Sequence, residues 1–226
     1  AMAQADGSAA PAISEEEIAS RFGALRGASS VALAPDGSAI SFLAPSTGQG
    51  NDLYVVSTQE GAQPRRLLRA SGNPEILNWC FWKSLTRLVC EMEGREGFGR
   101  NVLGFVRFIG VDATGGNVVV LGHSGRRAMY GGGVVDWLYR DPDHILLSTA
   151  GGAVVKVNIH DNSVADTVMR GREIPTGYMS DGEGNLRVMV TSQIVADAAL
   201  SNTFRYFHRT GEGDDWAPIA VNDEQV

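Results

Sequence analysis

From Ser29 onward the chain is a succession of short apolar runs cut by Gly, Asp, Asn and Pro, the pattern of many short strands. Val31 to Leu33, the turn Ala34-Pro35-Asp36-Gly37 and Ala39 to Leu43 read as a hairpin, with Pro preset for the turn and Gly supplying positive φ. Leu53 to Ser57 and Arg66 to Arg69 add two strands around Gln59-Glu60-Gly61-Ala62, which completes a four-stranded unit of about 40 residues.

That punctuation recurs. A second copy runs Leu77 to Trp82, turns at Lys83-Ser84-Leu85-Thr86 into Arg87 to Met92, crosses Gly94 to Asn101, continues as Val102 to Val111 and closes with Asn117 to Leu121. The third uses the turns Arg140-Asp141-Pro142-Asp143 and His160-Asp161-Asn162-Ser163. The fourth uses Ser180-Asp181-Gly182-Glu183-Gly184 and Thr210 to Asp215. Four-stranded units in series, with no helix between strands, predict an all-β chain folded as a partial β-propeller of about four blades. The expected blades are residues 28–71, 72–124, 125–171 and 172–226. The rim on which strands two and three are joined would then gather Asn73 to Glu75, Gly94 to Asn101, Ala128 to Gly133 and Gln193 to Asn202.

Only the N-terminus departs from this pattern. Ser14 and Glu17 form a capping box, and Ile18, Phe22 and Leu25 share one face at helical spacing, so a short helix is expected over residues 13–27. Residues 1–12 are small and polar and read as a disordered segment. Ala1-Met2-Ala3 before Gln4 suits the end of a removed secretory signal, although a tag remnant reads the same way.

Composition narrows the picture. Gly contributes 28 of 226 residues, well above the usual level of about 7%, and a turn in every hairpin accounts for it. Lys+Arg number 19 against Asp+Glu 26, a formal net charge of -7, so the basic surplus that nucleic-acid binding requires is missing. No run of about 18 apolar residues can span a membrane as a helix.

Candidate chemistry is sparse. Gly122-His123-Ser124-Gly125-Arg126 imitates a nucleophile elbow, but Arg126 stands where a small residue is needed and no helix follows, so it reads as a turn. His123, His144, His160 and His208 stand singly, without the spacing of metal ligands, and neither a metal nor a cofactor is expected. Cys80 and Cys90 flank one hairpin. They face each other if the register centres on Leu85, which would allow a disulfide, and miss if it centres between Ser84 and Leu85, which leaves two buried thiols. The polar crossing around Glu93, Arg95, Glu96 and Arg100 is the candidate substrate-facing loop, because Arg forks suit carboxylates and peptide termini. A solvated hairpin tip of the same composition is the plainer reading.

Several phrases together resemble a known family. Ser30-Val31-Ala32-Leu33-Ala34-Pro35-Asp36-Gly37, Trp79-Cys80-Phe81-Trp82, Val134-Val135-Asp136-Trp137-Leu138 and Gly177-Tyr178-Met179-Ser180-Asp181-Gly182 occur in that order. They are similar to the propeller of prolyl oligopeptidase-family serine peptidases, in particular bacterial acylaminoacyl-peptidase-like and dipeptidyl-peptidase-like members. The likeness extends over residues 14–221. It implies a periplasmic or secreted peptidase acting on short peptides, whose propeller gates an α/β-hydrolase domain carrying a Ser, Asp and His triad. No catalytic residue of that triad is matched in this chain. The alternative is a stand-alone propeller that binds a peptide, glycan or protein partner and catalyses nothing.

Overall fold

The computed structural model describes residue 14 and residues 27–122, 132–149, 152–170, 175–194, 200–211 and 215–223. The helix expected over residues 13–27 lies almost wholly outside them, as do residues 1–12, His123 and most of the elbow-like segment.

Four antiparallel meanders make up the described chain. The first blade is β1 (Ser29–Leu33), β2 (Ala39–Pro45), β3 (Asn51–Ser57) and β4 (Arg65–Ala70). The second is β5 (Glu75–Trp82), β6 (Arg87–Phe98), β7 (Asn101–Asp112) and β8 (Val119–Leu121). The third is β9 (Val134–Asp136), β10 (His144–Ser148), β11 (Val154–Asn158) and β12 (Val164–Met169). The fourth is β13 (Pro175–Ser180), β14 (Leu186–Ile194), β15 (Leu200–His208) and β16 (Ala217–Asp223). In each sheet the strands lie side by side in chain order, the four-bladed arrangement expected from the repeats.

Strand periodicity explains how the blades stack. Successive side chains point to opposite faces, so one strand feeds two cores. On β6, Leu88, Cys90 and Met92 join Leu43, Leu53 and Val55 of the first blade. Val89, the intervening residue, packs instead with Ile145, Leu147 and Val157 of the third. Likewise Ile145 and Leu147 face the second blade, while Leu146 meets Leu186 of the fourth. Among the described residues the buried apolar side chains form one layer between each pair of consecutive blades, in place of a single central core.

Polar side chains latch those layers. Asn51 opens β3 and clamps Leu77 of the next blade, accepting from its N–H at 2.9 Å and donating to its C=O at 2.6 Å. Asn162 makes the same two-bond clamp on Gly122, at 2.7 and 3.0 Å. Asp136 accepts from Gly184 N–H at 2.9 Å and so ties the third blade to the fourth. Arg87 is wholly buried; its guanidinium donates to Ile159 C=O, to Asn117 C=O and to Asp112 Oδ1, joining the second blade to the third. Gly110 makes room for it, since a Cβ there would lie 2.4 Å from Ile159 O and 2.8 Å from the guanidinium.

One difference from the sequence reading affects the candidate site. Gly94 to Phe98 is strand and not a crossing loop: β6 continues to Phe98 and β7 begins at Asn101, leaving Gly99 and Arg100 as the turn. Gly99 takes a φ of 62° there, a conformation glycine adopts without strain. Three glycines and alternating charges hide the strand in the sequence, because glycine and charged residues are poor predictors of β structure.

Candidate functional site

A cleft of about 760 Å³ opens where the connection from the first blade to the second meets the β6–β7 hairpin. Gln49 and the Gly72-Asn73-Pro74 segment form one side; Glu93, Arg95 and Gly104 belong to the other. Gly50 and Gly72 allow that first wall to close on itself. A Cβ on Gly50 would sit 2.0 Å from Ala70 O, and one on Gly72 2.3 Å from the Gln49 carbonyl carbon. The Asn73–Pro74 peptide bond is cis.

At the base of the hairpin, Phe105 lies over Gly94 so closely that a Cβ on Gly94 would come within 2.4 Å of the ring. Arg107 lies over the ring of Phe105, its guanidinium carbon 4.3 Å from the ring centroid, and pairs with Glu75 at 3.2 Å. Beside them Asn78 donates to Glu91 and Glu93, both at 3.0 Å, which turns two carboxylates toward β5. The cleft thus combines an aromatic side chain, bare glycine backbone, a carboxylate and an arginine.

Of the residues singled out from the sequence, Glu93 and Arg95 line the cleft. Glu96 and Arg100 lie farther out on the hairpin, exposed and away from the lining. Asn73 to Glu75 falls at this rim as expected, whereas Gln49, from the β2–β3 turn, and Phe105 and Arg107, inside β7, carry no local sign of it. The signal that could have found them is glycine inside a strand pattern, which often marks a close approach of another group; Gly94 and Gly104 are such positions. Of the other segments expected on this rim, much of Ala128 to Gly133 and Gln193 to Asn202 lies outside the described residues.

Cys80 and Cys90 pair directly across β5 and β6, in a register centred on Leu85, and are bridged with an S–S distance of 2.04 Å. Both are fully buried between the first two blades. On the opposite ends of the strands, around the third blade's turns, Asp141 is paired with Lys156 at 2.7 Å and His144 at 2.9 Å. Burial opposes ionisation of Asp141, yet the hydrogen bonds from Lys156 and His144 hold its carboxyl well below the usual carboxylate range. Lys83 reaches this blade too, donating to the carbonyls of Trp137 and Leu138; burial lowers its pKa while Asp141, Asp136 and Asp143 oppose that shift. Among the described residues no group of three or more His, Cys, Asp and Glu could hold a metal ion. Among them, too, no helix is long and apolar enough to cross a membrane.

Fold and cleft together define an all-β protein of stacked four-stranded blades, a partial β-propeller with a recess on one rim. No protein-family model matches the chain, and the search of curated proteins found no match. Solved structures that resemble it include TolB from Acinetobacter baumannii, at TM-score 0.42 and 16% identity over 84% of this chain and 42% of that one. A prolyl endopeptidase structure aligns at TM-score 0.46 and 13% identity, over 87% of this chain and 27% of that one. The periplasmic gluconolactonase PpgL of Pseudomonas aeruginosa aligns at TM-score 0.41 and 12% identity, over 87% and 57%. The chain therefore spans less than two thirds of each of these proteins, and likeness at this level carries no argument about activity.

Proposed function

We propose that this chain is the substrate-gating propeller portion of an exported serine peptidase that hydrolyses short peptides. In this reading the nucleophilic Ser, with its His and Asp, belongs to an α/β-hydrolase domain outside these residues and cleaves by acyl transfer. The propeller contributes selection. The observation that carries the reading is the rim cleft, whose roughly 760 Å³ falls in the usual range of ligand sites and is far too small for a folded domain. Arg95 and Glu93 on its wall offer opposite charges to the two kinds of group that a short peptide presents at its ends. The buried Cys80–Cys90 bridge supports a periplasmic or extracellular location, because such bonds persist in oxidising compartments. Neither a metal nor a cofactor has a role in this chemistry.

A fluorophosphonate probe tests it. The longer polypeptide that includes the hydrolase domain becomes labelled, and this chain by itself does not. In that longer polypeptide Arg95→Ala raises KM for a tetrapeptide about tenfold, the loss of one charge-assisted contact, and leaves hydrolysis of a small phenyl ester unchanged. Labelling of this chain alone, or an unlabelled longer polypeptide, overturns the proposal. The second of these results would leave a stand-alone propeller binding a peptide, glycan or protein partner.

A further inference from the structure

The β6–β7 hairpin outruns both of its neighbours. β5 pairs with β6 only as far as Glu75 opposite Gly94, and β8 meets β7 only over Phe108 to Gly110. Four more register pairs, from Arg95 with Gly104 to Phe98 with Asn101, continue with no third strand beside them among the described residues. In an antiparallel strand alternate residues turn their N–H and C=O to each side, so the outer edge of β6 from Arg95 to Phe98 offers main-chain donors and acceptors that none of the described strands takes up.

This edge starts at the cleft, which Arg95 lines, and runs outward from the point where the path of β5 is cut off. The residue that would extend β5 past Glu75 is Pro74, which has no N–H to pair with β6. The wall of Gln49, Gly72 and Pro74 stands beyond it, with Arg95 and Gly104 across the gap. Glycine leaves the backbone bare here: a Cβ on Gly97 would meet nothing within 4 Å, and one on Gly104 only Gly94 O at 3.9 Å.

We infer that the cleft takes an extended peptide segment as an added strand on the free edge of β6, along Arg95 to Phe98, in the track that β5 vacates. The main chain supplies most of the attraction, as in other strand additions to an exposed sheet edge. The cleft, about 760 Å³ and walled by Gln49 and Pro74 opposite Arg95, has the volume of a small-ligand or short-peptide site and not that of a second sheet. The inference deepens the proposed function, on which it rests only for the peptide being a substrate. Binding is measured on this chain, and so fails or succeeds separately from serine labelling.

The test uses two fluorescein-labelled octapeptides of one threonine- and valine-rich sequence, one unmodified and one N-methylated at alternate residues. By fluorescence anisotropy the unmodified peptide binds the chain and the N-methylated peptide binds at least about tenfold more weakly, the loss expected for two main-chain hydrogen bonds. Gly104→Trp, which fills the cleft from a position with free space, weakens the unmodified peptide by a similar factor with the circular dichroism spectrum retained. Equal binding of the two peptides overturns the inference on the unaltered chain, whatever the variant does. So does no binding at millimolar peptide, and so does a dimer that Gly104→Trp dissolves while no peptide binds, which would assign the edge to a second copy.

Discussion

Asp36, Asp141, Asp161 and Asp181 each accept a hydrogen bond from the N–H two residues ahead, at 3.0, 3.1, 2.8 and 3.0 Å. Such turns are legible in sequence because side chain and acceptor site are local. The second blade uses Ser84 in the same place, accepting from Thr86 at 3.4 Å. Residues that act between blades are not legible in this way. Arg87 sits in an ordinary strand pattern, and nothing local shows that its partner Ile159 is 72 positions away. Arg87→Met is expected to cost about 3 kcal/mol in urea unfolding, since Ile159 and Asn117 lose a buried donor. Tyr178 is a second case: it donates to Gly152 C=O and burial raises its pKa to about 12. A raised folded-state pKa gives stability that is complete below the ordinary value near 10 and is lost as pH rises through about 12. Tyr178→Phe should therefore flatten the fall in melting temperature between about pH 10 and pH 12, and an unchanged slope would show that Tyr178 does not contribute to it.

At the scale of elements, hairpins with strong turn chemistry were readable, and the one that forms the cleft was readable only in part. Its strands up to Met92 and from Val102 follow the apolar pattern, but Glu93 to Phe98 carries glycine and charge and is held in register by β7. The sheet partner, not local propensity, makes that segment a strand. The hairpin of Cys80 and Cys90 shows the complementary case, in which spacing left two registers open and the structure selects the one centred on Leu85. Replacing both cysteines with alanine removes a link across a sequence separation of 10. On loop-closure entropy the cost is about 3 kcal/mol, to be read as a lower urea midpoint, and reduction of the native bridge should move the midpoint the same way.

For the whole molecule, the alternation of faces makes a sharp prediction. Leu43 points between the first and second blades and is 1% exposed, whereas its neighbour Phe42 points away from the second blade and stacks on Tyr54 at 5.5 Å. Leu43→Ala should cost about 3 kcal/mol in denaturant unfolding because it leaves a void between blades. Phe42→Ala should cost clearly less, although it removes more apolar surface, and equal losses would contradict the layered packing. The strand-rich class, the four repeats, the turns and the shortfall of basic residues are legible in the sequence, since all of these depend on neighbours in the chain or on simple sums. Which face each strand presents to which blade, the latches made by Asn51, Arg87 and Asn162, and the meeting of Gln49, Pro74, Arg95 and Gly104 around one cleft were decided only by tertiary structure. Those contacts join residues tens of positions apart, and neither periodicity nor propensity carries information over that distance.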